Sequence, residues 1–365
     1  MAKILIHVQH LLGSGHAHRM AAIAAASAAR GHDVTLASGG RPLALALGRA
    51  KLEQLPSLVA ADASFKDLRD DQDRPIDAAW RSRRRAATHD LFARLEPDLL
   101  VVELYPFGRG MLAFELDALL ADARGIPVLC SVRDVLQRPA DAANAAARIA
   151  AAARFDAVLV HGDAAFLPLS ASWPETAALG AKLHYTGYVG PAEGTASTAR
   201  DEIVVSVGGG AAGQELRDAA LALADTRAHA GEKWRIRVGN AARVPPCANP
   251  HVVCETNRPD FADLLRHARL SISQAGYNTC VDLLRARCPA LLVPFDAGNE
   301  REQTIRAAAF AQSGLAQICT PSALAAHIDR VAAPLTHNIA CEGAAQTAKL
   351  IERWLSPFPL PTGPI

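Results

Sequence analysis

Ten short apolar runs, separated by stretches of helical length, recur from one end of the chain to the other. In the first half they are Ile4–Val8, Asp33–Ala37, Leu99–Glu103, Val128–Val132 and Ala157–His161. In the second half they are Ile203–Val207, Trp234–Gly239, His251–Cys254, Leu270–Ser273 and Ala290–Pro294. Most are continuous in Val, Leu and Ile, as strands covered on both faces require. Their alternation with helices predicts an α/β protein built on doubly wound parallel sheets. The 365 residues correspond to two domains at about 150 residues each. A stretch rich in Gly, Pro, Ser, Thr and Ala lies near Tyr188–Arg200, and a fresh strand and glycine turn follow it. The expected organisation is therefore two Rossmann-like domains facing across a cleft, 1–190 and 200–355. Residues 191–199 serve as linker, and 356–365 form an irregular Pro-rich tail.

Composition narrows the function. Lys and Arg number 38 against 37 Asp and Glu, a net charge of +1, which argues against nucleic-acid binding by bulk electrostatics. None of the seven cysteines pairs at CxxC spacing, so neither a disulfide framework nor a zinc site is expected, and a reducing cytoplasm suits them. No apolar run approaches the roughly 18 residues of a membrane span. The opening KILIHVQHLL is interrupted by His7, Gln9 and His10, which argues against a signal peptide.

Three strand-to-helix turns carry candidate chemistry. The first strand runs into LLGSGHAHR, where Gly13 and Gly15 allow a tight turn and the next helix offers free amides to an anion. His16 stands at its lip. The second half opens with SVGGGAAG, in which Gly208, Gly210 and Gly213 match GxGxxG between strand and helix. A dinucleotide site also needs an acid at the end of the next strand, and Gly239 and Asn240 stand there instead. A diphosphate-binding turn around Gly208, Gly209 and Gly210 survives, and a nicotinamide cofactor does not. Third, SQAGYNTCVDLL places Gly276, Tyr277, Asn278 and Thr279 at a helix N-terminus, with Asp282 where a carboxylate could reach a ribose diol. The loop PFDAGNEREQ then delivers Glu302 and Gln303 to another helix; helpful acidic capping is its bland reading.

These four motifs, GSGH, SVGGG, SQAGYNTCVDLL and PFDAGNEREQ, resemble the two-domain GT-B glycosyltransferases. The likeness is particularly to family 28, the type of the lipid-linked N-acetylglucosaminyl transferase of peptidoglycan synthesis, and more narrowly to a set of bacterial proteins described only as predicted glycosyltransferases. The resemblance implies transfer of a sugar from a nucleoside-diphosphate donor, most simply a UDP-sugar, to an unknown acceptor, with inversion. It places His16 by the acceptor or donor sugar and Gly208–Gly210 with Gly276–Thr279 near the donor diphosphate. Asp282, one methylene shorter than the family's Glu, falls on the ribose, and Gln303 with Glu302 on the donor sugar. The first glycine loop is also poorer in glycine than the family's. No cofactor and no metal are implied, because backbone amides can hold the leaving diphosphate.

His16 or Glu103 could be the base that deprotonates the acceptor. Glu103, Arg133 and Asp134 end first-domain strands and should edge the same cleft, although ion-pairing at the sheet edge is an equal reading. His161 reads as a core-edge histidine. Four arginines in WRSRRRAATH read as a solvated helix face, an anionic acceptor or peripheral membrane contact being the alternative. Asp71 and Asp73 spell DxD in a charged loop with no strand before it, and are discounted as a metal motif. Two other functions stay open: a nucleotide-sugar epimerase or hydrolase on the same fold, and a non-catalytic nucleotide-sugar-binding protein.

Overall fold

A computed structural model describes residues 1–62, 65–190, 200–207, 213–228, 231–238, 244, 247, 249–256, 260–295, 301–331 and 336–356. The chain divides into two compact units. The first comprises the described residues of Met1–Ala164, Pro168–Val189 and Glu342–Ile365, and the second those of Ala165–Leu167 and Gly190–Cys341.

In chain order, the first unit begins with β1 (Lys3–Val8), α1 (Gly15–Ala29), β2 (Asp33–Ser38) and β3 (Lys51–Gln54). A two-stranded antiparallel ribbon follows, β4 (Val59–Ala60) with β5 (Leu68–Arg69). Then come α2 (Ala78–Leu95), β6 (Leu99–Glu103), α3 (Ala113–Asp122), β7 (Val128–Arg133), α4 (Ala142–Ala151), β8 (Ala157–His161) and β9 (Leu183–Tyr185). Seven parallel strands form one sheet in the order β3-β2-β1-β6-β7-β8-β9. Its central strands are buried on both faces: Ile4, Ile6, Val8, Val101 and Leu129 pack with α1 on one side, and Leu5, Leu100, Val102 and Cys130 face α2 and α3 on the other. The order reverses between β1 and β6, and ligands of such sheets bind beyond the carboxyl ends at that reversal.

The second unit repeats the plan with β10 (Glu202–Ser206), α5 (Gln214–Ala228), β11 (Lys233–Arg237), β12 (Val252–Glu255), α6 (Phe261–His267), β13 (Ala268–Ser273), α7 (Tyr277–Ala286), β14 (Ala290–Leu292), α8 (Glu302–Gln312), β15 (Gln317–Ile318) and α9 (Leu324–His327). Six parallel strands run in the order β12-β11-β10-β13-β14-β15. Here the reversal lies between β10 and β13.

All ten expected strands are present within a residue or two of their sequence bounds; Gly239, at the end of one, lies outside the described residues. Strands β3, β9 and β15 escape the sequence pattern because they are short edges with little buried apolar surface. The last helix, α10 (Gly343–Leu355), is contiguous with the second half of the sequence yet belongs to the first unit. It packs along α1, burying Ile351 and laying Leu350 and Trp354 on the β1 side of the core, while Glu352 accepts from Arg30 and Trp354 meets His184 edge-on at 6.5 Å. The linker at 191–199 and the tail beyond Ser356 lie outside the described residues. Among the described residues, no helix is long and apolar enough to cross a membrane.

One of the arginines read as solvated is core. Arg84 of α2 is fully buried and donates to Glu115 Oε1 at 3.0 Å, to Gly39 O at 3.1 Å and to Gln9 Oε1 at 3.1 Å. His7 and Thr88 bond the same Glu115 oxygen. Gly39 is a glycine because a Cβ there would collide with the Arg84 guanidinium and the Gln9 amide. A buried charge survives only when paired and hydrogen-bonded, and these partners let Arg84 sit in the core while Arg83 and Arg85 of the same run are exposed.

Candidate functional site

At the reversal in the first sheet, β1 leads through Gly13 and Ser14 into α1, which starts at Gly15 with no side-chain cap. That brings His16 to the carboxyl end of β1, beside the end of β6, where Glu103 is the last residue. His16 Nδ1 and Glu103 Oε1 are 2.5 Å apart across 87 residues of sequence. Arg19, one turn into α1, donates its Nη2 to the same Glu103 oxygen at 2.6 Å. The Glu103 side chain is fully buried, whereas 17% of the His16 side chain reaches solvent.

Electrostatics assign the proton. Burial alone would raise the Glu103 carboxyl, but the charge that His16 carries when protonated, the bond from His16 and the charges of Arg19 and Arg109 outweigh it and hold the group down at about 2. Burial pushes His16 down to about 4, Arg109 and Arg133 push the same way, and Glu103 opposes them. The pair at neutral pH is therefore carboxylate and neutral imidazole. A carboxylate can only accept, so Nδ1 carries the hydrogen and Nε2 keeps the lone pair. Arg19 Nη2 lies 3.3 Å from Nδ1, a contact that two donors cannot turn into a hydrogen bond. Nε2 has no hydrogen-bond partner among the described residues, leaving a base at the exposed edge of the ring.

The remaining first-unit candidates separate. Arg133 ends β7 and adds its charge to the His16 environment. Asp134 does not join it: wholly buried, it accepts from Tyr188 Oη at 3.1 Å and packs against Gly162. His161 is a satisfied core residue, bonded to Ser131 Oγ at 2.7 Å and Thr186 Oγ1 at 2.8 Å. Arg19 and Arg109 carry no motif. The one sequence signal for Arg19 is its i,i+3 spacing from His16, which puts both on one helix face.

In the second unit, Gly276 caps α7 after β13. Its backbone conformation is ordinary and a Cβ there would meet nothing within 4 Å, so packing does not dictate the glycine. Asn278 is exposed and Thr279 half-buried, and both share a helix face with Asp282 through i+4 and i+3 spacing. Tyr277 instead turns inward, 5% exposed, with the Arg306 guanidinium 5.8 Å from its ring centre. Burial pushes Asp282 up to about 7 against the pull of Arg237, Arg285 and Arg266.

Gln303, in the first turn of α8, accepts at Oε1 from the backbone amides of Ala275 (3.1 Å) and Phe295 (3.2 Å), tying the loops after β13 and β14 together. Its Nε2 has no partner among the described residues. Glu302 accepts from Arg306 at 2.8 Å, and Arg306 also donates to Ala275 O at 2.7 Å. This fully buried arginine braces the loop ahead of α7, and its spacing from Glu302 was visible in NEREQTIR. Gly208, Gly209 and Gly210 lie outside the described residues.

Two doubly wound parallel sheets, each with polar residues gathered at its reversal, define the GT-B class of fold. Residues 204–353 match the sequence model of the glycosyltransferase family 28 C-terminal domain. Over 125 residues the chain is 32% identical to a UDP-N-acetylglucosamine–N-acetylmuramyl-(pentapeptide) pyrophosphoryl-undecaprenol N-acetylglucosamine transferase of Solidesulfovibrio magneticus. That match covers 30% of this chain and 34%, about a third, of the relative's length. Solved structures align end to end. The glycotransferase of kitacinnamycin matches at TM-score 0.62 and 16% identity, covering 97% of this chain and 99% of its own. MurG of Acinetobacter baumannii matches at 0.54 and 18%, covering 97% and 92%. The spinosyn rhamnosyltransferase SpnG, complexed with thymidine diphosphate, matches at 0.57 and 15%, covering 96% and 95%. At these identities the likeness is one of fold.

Proposed function

We propose that the protein is a glycosyltransferase that moves a sugar from a nucleoside diphosphate, uridine diphosphate in the simplest case, to a hydroxyl of an acceptor. The observation that carries this reading is the His16–Glu103 pair at the first reversal, in a chain whose residues 204–353 match the family 28 C-terminal domain model. The Solidesulfovibrio relative's name specifies a UDP-sugar, and SpnG binds a nucleoside diphosphate.

In this reading His16 Nε2 takes the proton of the acceptor hydroxyl as its oxygen attacks the anomeric carbon. Glu103 holds the Nδ1–H tautomer and stabilises the imidazolium that forms, so it acts as a positioning residue. The attack displaces the diphosphate from the opposite face, with inversion. Within the second unit, the donor's diphosphate falls in this reading to the amides at the start of α7. Asp282 accepts from the ribose hydroxyls, and Gln303 Nε2 donates to the sugar.

Calorimetric titration with UDP, UDP-sugars and thymidine diphosphate, followed by incubation of each donor with and without acceptor extract, tests the reading. Donor binding with acceptor-dependent release of the nucleoside diphosphate is expected, and a chelator should leave the rate unchanged. Conversion of the donor without acceptor would replace transfer by epimerisation or hydrolysis. Binding without any turnover would make the protein a nucleotide-sugar sensor.

A further inference from the structure

Arg109 sits six residues beyond Glu103, where the chain leaves β6 and enters the 3₁₀ turn Gly110–Leu112, with its backbone in the left-handed region at φ 58°. Its side chain is half-buried, yet among the described residues it makes no hydrogen bond and has no carboxylate within 4 Å. Its Nε is shielded from water without a partner. Among the described residues, Glu103 is the one negative charge that acts on it, and Glu103 is already engaged by His16 and Arg19; Arg133 and Arg19 repel it. Arg109 also acts on His16 and on His10, whose ring is buried against Arg41 O. A half-buried guanidinium without a counter-ion is costly. Its fork of donors matches the oxygens of a carboxylate or a phosphate.

We propose that Arg109, with Arg133 beside it, forms a subsite for an anionic group, carboxylate or phosphate ester, on the molecule whose hydroxyl His16 deprotonates. The proposal rests on the reading of His16 as the base. Such an anion would supply the missing counter-charge and set the acceptor's orientation against Nε2. It would also offset the positive field of Arg109 and Arg133 on the imidazole, so an occupied subsite makes His16 a stronger base than an empty one. The fold thereby selects acidic acceptors over neutral ones of the same shape.

The test reads the ¹⁵N resonances of the His16 ring while inorganic phosphate or acetate is added to the wild type, Arg109→Gln and Arg109→Lys. A saturable response that moves the His16 titration to higher pH is expected in the wild type. It should be at least tenfold weaker in Arg109→Gln and partly restored in Arg109→Lys, which keeps the charge but not the fork. The anion that saturates at lower concentration identifies the group as carboxylate or phosphate. Titration with UDP should give the same Kd in all three proteins. No saturable response in the wild type, or an equal one in Arg109→Gln, overturns the proposal. So does a tenfold loss of UDP affinity in Arg109→Gln, which would assign the charge to the donor. If UDP fails to bind the wild type while phosphate or acetate binds through Arg109, the glycosyltransferase reading fails and the anion subsite stands.

Discussion

Replacing Glu103 by Gln isolates charge from geometry in the proposed base. Both contacts to Glu103, from His16 Nδ1 at 2.5 Å and Arg19 Nη2 at 2.6 Å, fall on the single oxygen Oε1. A glutamine can present its carbonyl oxygen in the same place, so the Nδ1–H tautomer is kept and only the negative charge is lost. With charge centres about 4 Å apart and an effective dielectric of about 20, that charge stabilises the imidazolium by about 4 kcal/mol. The loss corresponds to about 10³-fold in rate, inside the range of roughly 10²–10⁴ for acid–base catalysis. Because Arg19 keeps an acceptor, stability should fall by less than the about 3–5 kcal/mol cost of stripping one partner from a buried pair.

The assay pairs the rate of nucleoside-diphosphate release at saturating donor with the ¹⁵N shifts of the His16 ring. Expected are an unchanged tautomer, a donor KM within about twofold and a turnover number lower by about 10³. Glu103→Ala should lose the tautomer preference as well. If Glu103→Gln retains turnover within tenfold while its tautomer is intact, the carboxylate does not support a base at His16 and the mechanism is wrong.

Asp282→Ala should weaken UDP binding by roughly 10- to 150-fold, the worth of hydrogen bonds to a charged acceptor, with Asp282→Glu milder. Because burial pushes Asp282 up to about 7, wild-type affinity should climb with pH through that value and the alanine variant's should not; calorimetry between pH 6 and 8 decides. In acid, His16 is depressed from 6.5 to about 4 and Glu103 from 4.5 to about 2. Their stabilisation is complete above the unfolded values and is withdrawn as pH falls toward the folded ones. Melting should therefore drop as pH falls below about 6.5, and His16→Gln should flatten the upper part of that window; an identical profile would refute the assignment. Arg84→Met should cost about 3–5 kcal/mol by stripping the permanent cation from the buried Glu115, which keeps only its bonds from His7 and Thr88, read by chemical denaturation. A loss under about 1 kcal/mol would mean that water relieves the Glu115 charge.

What the sequence shows of this protein depends on how far apart the partners are. Continuous apolar runs declare the central strands because the requirement to be covered on both faces acts on each residue singly. The exposed edge Lys51–Gln54 meets no such requirement and leaves no trace. His16 is legible from its turn, but Arg84 and Asp134 are not legible as core residues. Their burial is made acceptable by Glu115 and Tyr188, 31 and 54 positions away, and nothing local reports those partners. The same holds for α10, whose apolar face finds its surface on α1, at the far end of the chain.

Strand order supplies the link that residue patterns lack. In each sheet the order reverses once beside the first strand of the unit, between β1 and β6 and again between β10 and β13. At a reversal the two flanking connections leave toward opposite faces, so the carboxyl ends part and backbone amides and side chains from distant segments converge. His16 and Glu103 meet at the first for that reason, though 87 residues separate them. Gly276 and Asp282 belong to the second. A strand-to-helix turn gains weight as a site when its strand borders the reversal, and the Asp134 turn, one strand further out after β7, shows what happens otherwise: its carboxylate is spent on Tyr188.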